Sequence, residues 1–228
     1  MADIKLMLGG MMRDQGVSVH HLMGVAGLAK RSARDDFEVV WAYAIDDADL
    51  TSTKNHLLNQ FMDSDCTHLL LVDGRVGFSV ENVVQMLGHR QGLVVAIGPQ
   101  ASGRWPVELI GGGSLRKGLC VEARRTAMHF ALFERAAVLH FRDAYPELEH
   151  KPTSDDPTDN LHQYRLFDPD IDSENGTYLA SDAAFSERWR AADGEIWVDT
   201  DIELRTEVRQ VVANKLRYQL PAVAPATS

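Results

Sequence analysis

The sequence predicts an α/β fold in which helices flank a mixed, largely parallel central sheet. Leu69–Val72 and Leu93–Ile97 are apolar at every position, which is typical of strands that are buried on both faces. Between such segments lie stretches whose apolar residues recur at helical spacing. Strands and helices that alternate along a chain favour a sheet with parallel strands.

In the first half of the chain, the first strand is predicted to end at Gly9 and Gly10, where the backbone could approach a ligand closely, although a plain turn explains the pair as well. The apolar spacing predicts a strand at Ile4–Leu8, a helix at Val17–Lys30, a strand at Phe37–Ala44, a helix from Thr51 or Ser52 to about Phe61, a helix from Ser79 to about His89, and the two buried strands named above.

The second half gives a less regular pattern. Residues 124–139 fit either a strand followed by a helix or one long helix, and the polar stretch 150–172 predicts a long loop. The pattern then predicts a helix at Ser181–Ala192 capped by Ser181, a strand pair within 195–204 and a last helix at 207–216. We expect residues 1–220 to form a single domain and residues 221–228 to be a flexible tail.

The charge and the apolar runs of the sequence argue against some classes of function. The 228-residue chain has a formal net charge of -10, which argues against a broad surface for nucleic acid or anionic membranes. Its apolar runs are shorter than the roughly 20 residues that span a bilayer, and the amino terminus does not resemble a secretory signal. The expectation is therefore a cytoplasmic protein without a membrane partner.

Few residues suggest a metal or disulfide by spacing alone. The two cysteines, Cys66 and Cys120, form neither a disulfide framework nor a metal motif, and the histidines form no spaced ligand set. A Ser/His/Asp arrangement, a phosphate-binding P-loop and a complete dinucleotide fingerprint are also missing from the sequence.

One strand end carries a stronger signal. The apolar run at Leu69–Val72 stops at Asp73, which Gly74 and Arg75 follow. A carboxylate there lies where α/β sheets bind ligands. The segment resembles the metal-binding strand of GT-A-fold glycosyltransferases, which carries Asp-x-Asp at this point. Arg75 stands in place of the second acid.

The resemblance extends over roughly residues 4–206. It includes Lys54–Asp65, which resembles the helix before that strand, and Leu166–Trp189, which is the most similar stretch. It implies a GT-A-like single domain that transfers a sugar from a nucleotide-diphosphate sugar, most often a UDP-sugar, to a hydroxyl acceptor. Such short transferases occur in bacteria and phages, and the acceptor could be a saccharide or a modified nucleobase.

The resemblance also assigns residue roles. Asp182 matches the catalytic base, whereas its position alone favours a helix cap. Relatives hold Mn²⁺ or Mg²⁺ with Asp-x-Asp and a later His. Here Arg75 and Thr206 occupy those positions, so Asp73 would be the one remaining metal ligand, and metal dependence is expected to be lost.

Gly9, Lys54, Asn55, Asp73 and Arg75 are the predicted contacts to the nucleotide sugar. Arg75 could clamp the diphosphate in place of the ion, since a guanidinium binds phosphate bidentately. It could equally mark a site that has lost activity, so a catalytically silent GT-A-fold binding protein or partner subunit is the alternative.

A further departure concerns the acceptor side. The family's Gly-Thr-Gly-Phe segment corresponds to residues 125–128, and the bulky Arg125 replaces its first glycine. The geometry of the donor or acceptor pocket is therefore expected to differ from that of relatives.

Overall fold

A computed structural model describes residues 4–12, 16–34, 37–45, 49–98, 104–151 and 163–206. The helices are α1 Val19–Ser32, α2 Leu50–Asp63, α3 Val80–Gly88, α4 Arg135–Asp143 and α5 Ser181–Ala191. The strands are β1 Ile4–Met12, β2 Phe37–Ile45, β3 His68–Asp73, β4 Val76–Gly77, β5 Leu93–Val95, β6 Val107–Leu109, β7 Arg116–Lys117, β8 Cys120–Thr126, β9 Phe130–Glu134, β10 Glu149–His150, β11 Gln163–Tyr164, β12 Asp170–Ile171, β13 Tyr178–Leu179, β14 Ile196–Asp199 and β15 Arg205–Thr206.

The main sheet has nine strands in the described part of the chain. Its order is β2-β1-β3-β9-β5-β14-β8-β6, and β7 also pairs with β8. β1 runs parallel to β2 and β3, and β5 runs parallel to β14, whereas β8 and β9 are antiparallel to each of their neighbours. Seven strands therefore point one way and two the other, which confirms the predicted mixed, largely parallel sheet.

Helices cover both faces of this sheet. One apolar cluster joins the sheet to α2, α4 and α5, and a second joins it to α1 and α3. The β3 strand contributes to both, because Leu69 and Leu71 face the first cluster while Leu70 and Val72 face the second. This explains why β3 is apolar at every position, as the sequence indicates.

The first strand is longer than predicted, because β1 continues through both glycines to Met12. A Cβ atom on Gly9 would lie 3.0 Å from the Leu71 side chain, and one on Gly10 would lie 2.3 Å from the ring of Tyr43. These glycines therefore make room for neighbouring side chains within the sheet, and they do not end the strand at a turn.

The caps predicted for two helices are wrong, although α5 starts at Ser181 as predicted. α2 begins at Leu50, and its cap is Asp49, whose carboxylate accepts hydrogen bonds from the N–H groups of Thr51 and Ser52. The residue before α5 is Ala180, which offers no side-chain cap, so Ser181 is the first helical residue. The predicted cap at Ser79 is confirmed, since Ser79 and Asn82 form a reciprocal capping box.

The ambiguous stretch 124–139 resolves into the end of β8, the strand β9 and the start of α4. The long polar stretch contains the short strands β11 and β12, and the helix expected at 207–216 and the tail at 221–228 lie outside the described residues. Among the described residues, every helix is too short or too polar to cross a bilayer.

An aromatic cluster anchors α5 to the sheet, and it yields a test of the fold. Phe185 is fully buried, stacks on Phe167 at 4.1 Å between ring centroids, and packs against Trp189. Phe185→Ala should lower the free energy of unfolding by about 3–5 kcal/mol, because it removes a large side chain from a packed core. Urea denaturation measures this change.

The matched control is Tyr178→Ala, since the Tyr178 side chain is 66% exposed. It should change the free energy of unfolding by less than about 0.5 kcal/mol. Equal losses in the two variants would contradict the packing described for α5.

Candidate functional site

An open cavity of about 500 Å³ lies where α2, β8 and α5 meet. Its wall includes Lys54 from α2, Arg125 and Thr126 from the end of β8, His129 from the turn before β9, and Asp182 from the first turn of α5. Two residues predicted from the sequence, Lys54 and Asp182, therefore meet in one cavity although they are 128 positions apart.

Lys54 points inward because it shares a helix face with core residues. Leu57 and Leu58 follow it by three and four positions, the spacing that places side chains on one side of a helix, and both are buried. Only 2% of the Lys54 residue is exposed, and its ammonium lies 5.5 Å from the centroid of the Phe167 ring. A buried ammonium needs an anionic partner, and Asp182 supplies it.

Asp182 is oriented by two contacts on its two carboxylate oxygens. Lys54 Nζ donates to Oδ1 in a close ion pair, and the backbone N–H of Met128 donates to Oδ2 over 3.1 Å. The carboxylate therefore does not cap its own helix, and the alternative interpretation of Asp182 as a helix cap is wrong. Its side chain is 22% exposed, so it can meet a substrate hydroxyl in the cavity.

Asp73 and Arg75 form a second ion pair at the end of β3. Arg75 donates from its backbone N–H and from Nε to Asp73 Oδ1, over 2.9 and 3.1 Å, and from Nη2 to Oδ2 over 3.0 Å. Burial by itself raises the pKa of the Asp73 carboxyl, but the Arg75 hydrogen bonds outweigh it and hold the pKa below the ordinary value. Asp73 is therefore ionised at neutral pH.

These two residues do not fit a divalent cation. Both Asp73 oxygens already accept from one guanidinium, and a positive guanidinium in that place repels a metal ion. Within the described residues, Asp73 belongs to no cluster of three metal-ligating side chains, and the side chain of Thr206 lies outside them.

His129 lies beside Asp73 and also borders the cavity, a position that the sequence does not indicate. Its Nδ1 is 3.9 Å from Asp73 Oδ2, and its side chain is 41% exposed. His129 reaches this position through the pairing of β3 with β9, next to which the backbone N–H of Asp73 donates to the carbonyl of His129. No single sequence motif reveals that pairing.

Arg125 is the third cation near the cavity. It forms an ion pair with Glu187, and its guanidinium also lies 3.7 Å from Glu108 and 3.9 Å from Asp172. Arg125 therefore adds a charged group to the cavity wall, and its charge is matched by nearby carboxylates.

The remaining predicted contacts lie away from the cavity wall. Asn55 accepts from the backbone N–H of Phe167 over 2.8 Å and donates to Asp168 over 2.9 Å, so its amide holds the segment before α5. Gly9 is inside the sheet, under the Leu71 side chain. Their roles toward a nucleotide sugar stay predictions, as do those of Lys54, Asp73 and Arg75.

Comparison with known proteins gives weak likenesses. Neither a protein-family profile nor a curated protein matches the chain. Among solved structures, A197 from STIV is 11% identical, with a TM-score of 0.47 over 91% of this chain and 97% of that one. The 4-diphosphocytidyl-2C-methyl-D-erythritol synthase of Anaerococcus prevotii DSM 20548 is also 11% identical, with a TM-score of 0.34 over 65% of this chain and 80% of that one. At these scores the likenesses assign neither a fold family nor a function.

The Lys54–Asp182 pair makes a prediction about stability. Asp182→Asn leaves the buried ammonium of Lys54 without its charged partner, which should cost about 3–5 kcal/mol in the free energy of unfolding. The double variant Lys54→Met with Asp182→Asn removes both charges and should regain most of this loss. Chemical denaturation of the two single variants and the double variant measures the coupling.

Additive losses in this cycle would show that the two side chains do not interact in solution. A parallel cycle on Lys117 and Glu195, a pair in which both side chains are about half exposed, provides the control. Its coupling should be below about 1 kcal/mol, as for other surface ion pairs.

Proposed function

We propose that this protein is a GT-A-like glycosyltransferase that moves a sugar from a nucleotide-diphosphate sugar to a hydroxyl acceptor without a metal ion. One observation carries the proposal: the side chain of Asp182, which the resemblance assigns as the base, borders an open cavity and pairs with Lys54. Its two hydrogen-bond partners hold it in one orientation.

The proposed base step follows from the contacts of Asp182. An ionised carboxylate has about four acceptor positions, and Lys54 and Met128 engage one on each oxygen. Asp182 would accept the proton of the acceptor hydroxyl as that oxygen bonds to the anomeric carbon. The bond from that carbon to the diphosphate breaks at the same time, and its electron pair leaves on the phosphate oxygen. General-base catalysis of this kind contributes about 10²- to 10⁴-fold.

Lys54 fixes the position of this base, because its ammonium forms an ion pair with the Asp182 carboxylate. The ammonium is buried against Phe167, so it cannot turn away from Asp182 into solvent. We therefore assign Lys54 as a positioning residue in the proposed reaction, where the sequence suggested a contact to phosphate.

The diphosphate that leaves needs positive charge, and Arg75 is the proposed source. Its guanidinium matches phosphate oxygens in geometry, and its side chain is 41% exposed. Asp73 accepts two hydrogen bonds from this guanidinium and one from the backbone N–H of Arg75, so in the proposed complex it orients Arg75 rather than binding a metal.

A catalytically silent binding protein is the second candidate, and one observation favours it. In the described structure the cations Lys54, Arg75 and Arg125 each have a carboxylate partner within the protein. A diphosphate must compete with these carboxylates for positive charge. A ligand with less negative charge would bind in the cavity without that competition.

The base assignment predicts the kinetics of Asp182→Asn. Turnover should fall at least about 10²-fold, because asparagine cannot accept the proton. Donor binding should stay near the wild-type value, since the residue acts on the acceptor. The measurement uses a panel of UDP-, GDP-, CDP- and dTDP-sugars with saccharide acceptors, at a temperature where calorimetry shows the variant to be folded.

Asp170→Asn is the matched control, because Asp170 is half exposed and pairs with Arg188 outside the cavity wall. It should leave turnover unchanged. If Asp182→Asn turns over at the wild-type rate, Asp182 is not the catalytic base. If the wild type binds a donor without turnover, the result favours the catalytically silent binding protein.

The role of Arg75 predicts a difference between two ligands. Arg75→Ala should weaken UDP binding by about 1.5–3 kcal/mol, the contribution of hydrogen bonds to charged groups, and should leave uridine binding unchanged. Added Mn²⁺ should not strengthen UDP binding to the wild type. Arg75→Asp, which restores the acid of the family motif, should make UDP binding sensitive to Mn²⁺. Isothermal titration calorimetry measures all of these affinities.

Arg142→Ala is the control, since Arg142 pairs with its neighbour Asp143 at the surface. Equal losses for UDP and uridine in Arg75→Ala would show that Arg75 does not contact the diphosphate. A strong gain in wild-type affinity with Mn²⁺ would overturn the metal-independent mechanism.

A further inference from the structure

Three side chains with different metal-ligating atoms meet beneath α3. His89 follows the last residue of α3, Cys120 opens β8, and Asp199 ends β14. Their ligand atoms, one nitrogen, one sulfur and one oxygen, all lie within 4.8 Å of one another. Cys120 and Asp199 are buried, and the His89 side chain is 16% exposed.

The sheet register brings this cluster together. Cys120 and Asp199 lie directly opposite each other in the antiparallel pair of β8 and β14, so their side chains share one face of the sheet. Their neighbours Val121 and Val198 face the apolar cluster beneath α2, α4 and α5. The cluster is therefore on the opposite face from that helix layer, which supplies Lys54 and Asp182 to the cavity.

The geometry points to a zinc site formed by His89, Cys120 and Asp199. Imidazole, thiolate and carboxylate are the three ligand types that bind Zn²⁺ in proteins. Tetrahedral bond lengths place bound ligand atoms about 3.3–3.6 Å apart, which fits inside the observed spread. The His89 and Asp199 atoms now share a 2.6 Å contact, so they must separate by roughly 0.8 Å to admit the ion.

Gln85 is the nearest candidate for support of a fourth position. It is four residues before His89, on the same side of α3, and its amide nitrogen donates to Asp199 Oδ2 over 2.8 Å. The amide also carries an oxygen that could face a bound ion or a metal-bound water. Asp199 Oδ1 accepts the backbone N–H groups of Asp201 and Ile202, so Oδ2 is the oxygen that faces the site.

The charges of the cluster are compatible with a divalent cation, because a metal ion stabilises a thiolate and a carboxylate that lie side by side.

Zinc titration of the full chain, reduced and stripped with a chelator, tests the site by calorimetry. We expect one equivalent to bind. Cys120→Ser should weaken binding by more than about 10- to 100-fold, the loss typical of a merely supporting residue. Cys66→Ser is the matched control, because Cys66 is also buried but lies before β3, outside the cluster, and it should bind zinc like the wild type.

His89→Gln gives a second variant in case Cys120→Ser folds poorly, and it should lose affinity in the same way. Cobalt provides a direct signature, since a thiolate bound to Co²⁺ gives a charge-transfer band that should be present in Cys66→Ser and absent in Cys120→Ser. Absence of stoichiometric zinc binding by the wild type, or unchanged zinc affinity in Cys120→Ser, would overturn the site. None of these readouts depends on transferase activity.

Discussion

The buried ion pair between Lys54 and Asp182 is the interaction on which the cavity depends. The ammonium of Lys54 is withdrawn from water on the inner side of α2, and a charge in that place is tolerated only beside an opposite charge. α5 must therefore begin where Asp182 can reach it. Phe185 and Trp189 then secure the rest of α5 against the sheet, so apolar packing and the ion pair fix the same helix from two directions.

Ion pairs also neutralise the two arginines at the edge of the sheet. Arg75, at the end of β3, pairs with Asp73, and Arg125, in the cavity wall, pairs with Glu187, so both arginines have a carboxylate partner inside the protein. A diphosphate would exchange partners with these carboxylates instead of meeting unbalanced charge. Such an exchange keeps the arginines oriented before substrate arrives, which reduces the ordering needed on binding. Pairing with these carboxylates also weakens the attraction of the arginines for a diphosphate, and this favours the catalytically silent alternative.

Local patterns predicted the local features well. The buried strand at Leu69–Val72 and the cap at Ser79 depend on a few adjacent residues, and both agree with the structure. The predicted end of β1 was wrong because the need for glycine at position 9 comes from Leu69 and Leu71 on the neighbouring strand β3, which are distant in sequence. The contribution of Asp182 to stability is also not visible in the sequence. Its partner Lys54 is 128 positions away, which no local pattern reveals.

The cluster of His89, Cys120 and Asp199 is another feature that local sequence patterns do not reveal. Their spacing matches no metal motif, and only the register of β8 against β14 sets Cys120 opposite Asp199. An ion there would join α3 to both strands. Asp199 also holds the start of the loop that leads to β15, which pairs with β4 directly after Arg75. A zinc site would thus stabilise the backbone beside Arg75, the proposed diphosphate contact. The zinc ligands lie on the face of the sheet opposite the layer of α2, α4 and α5.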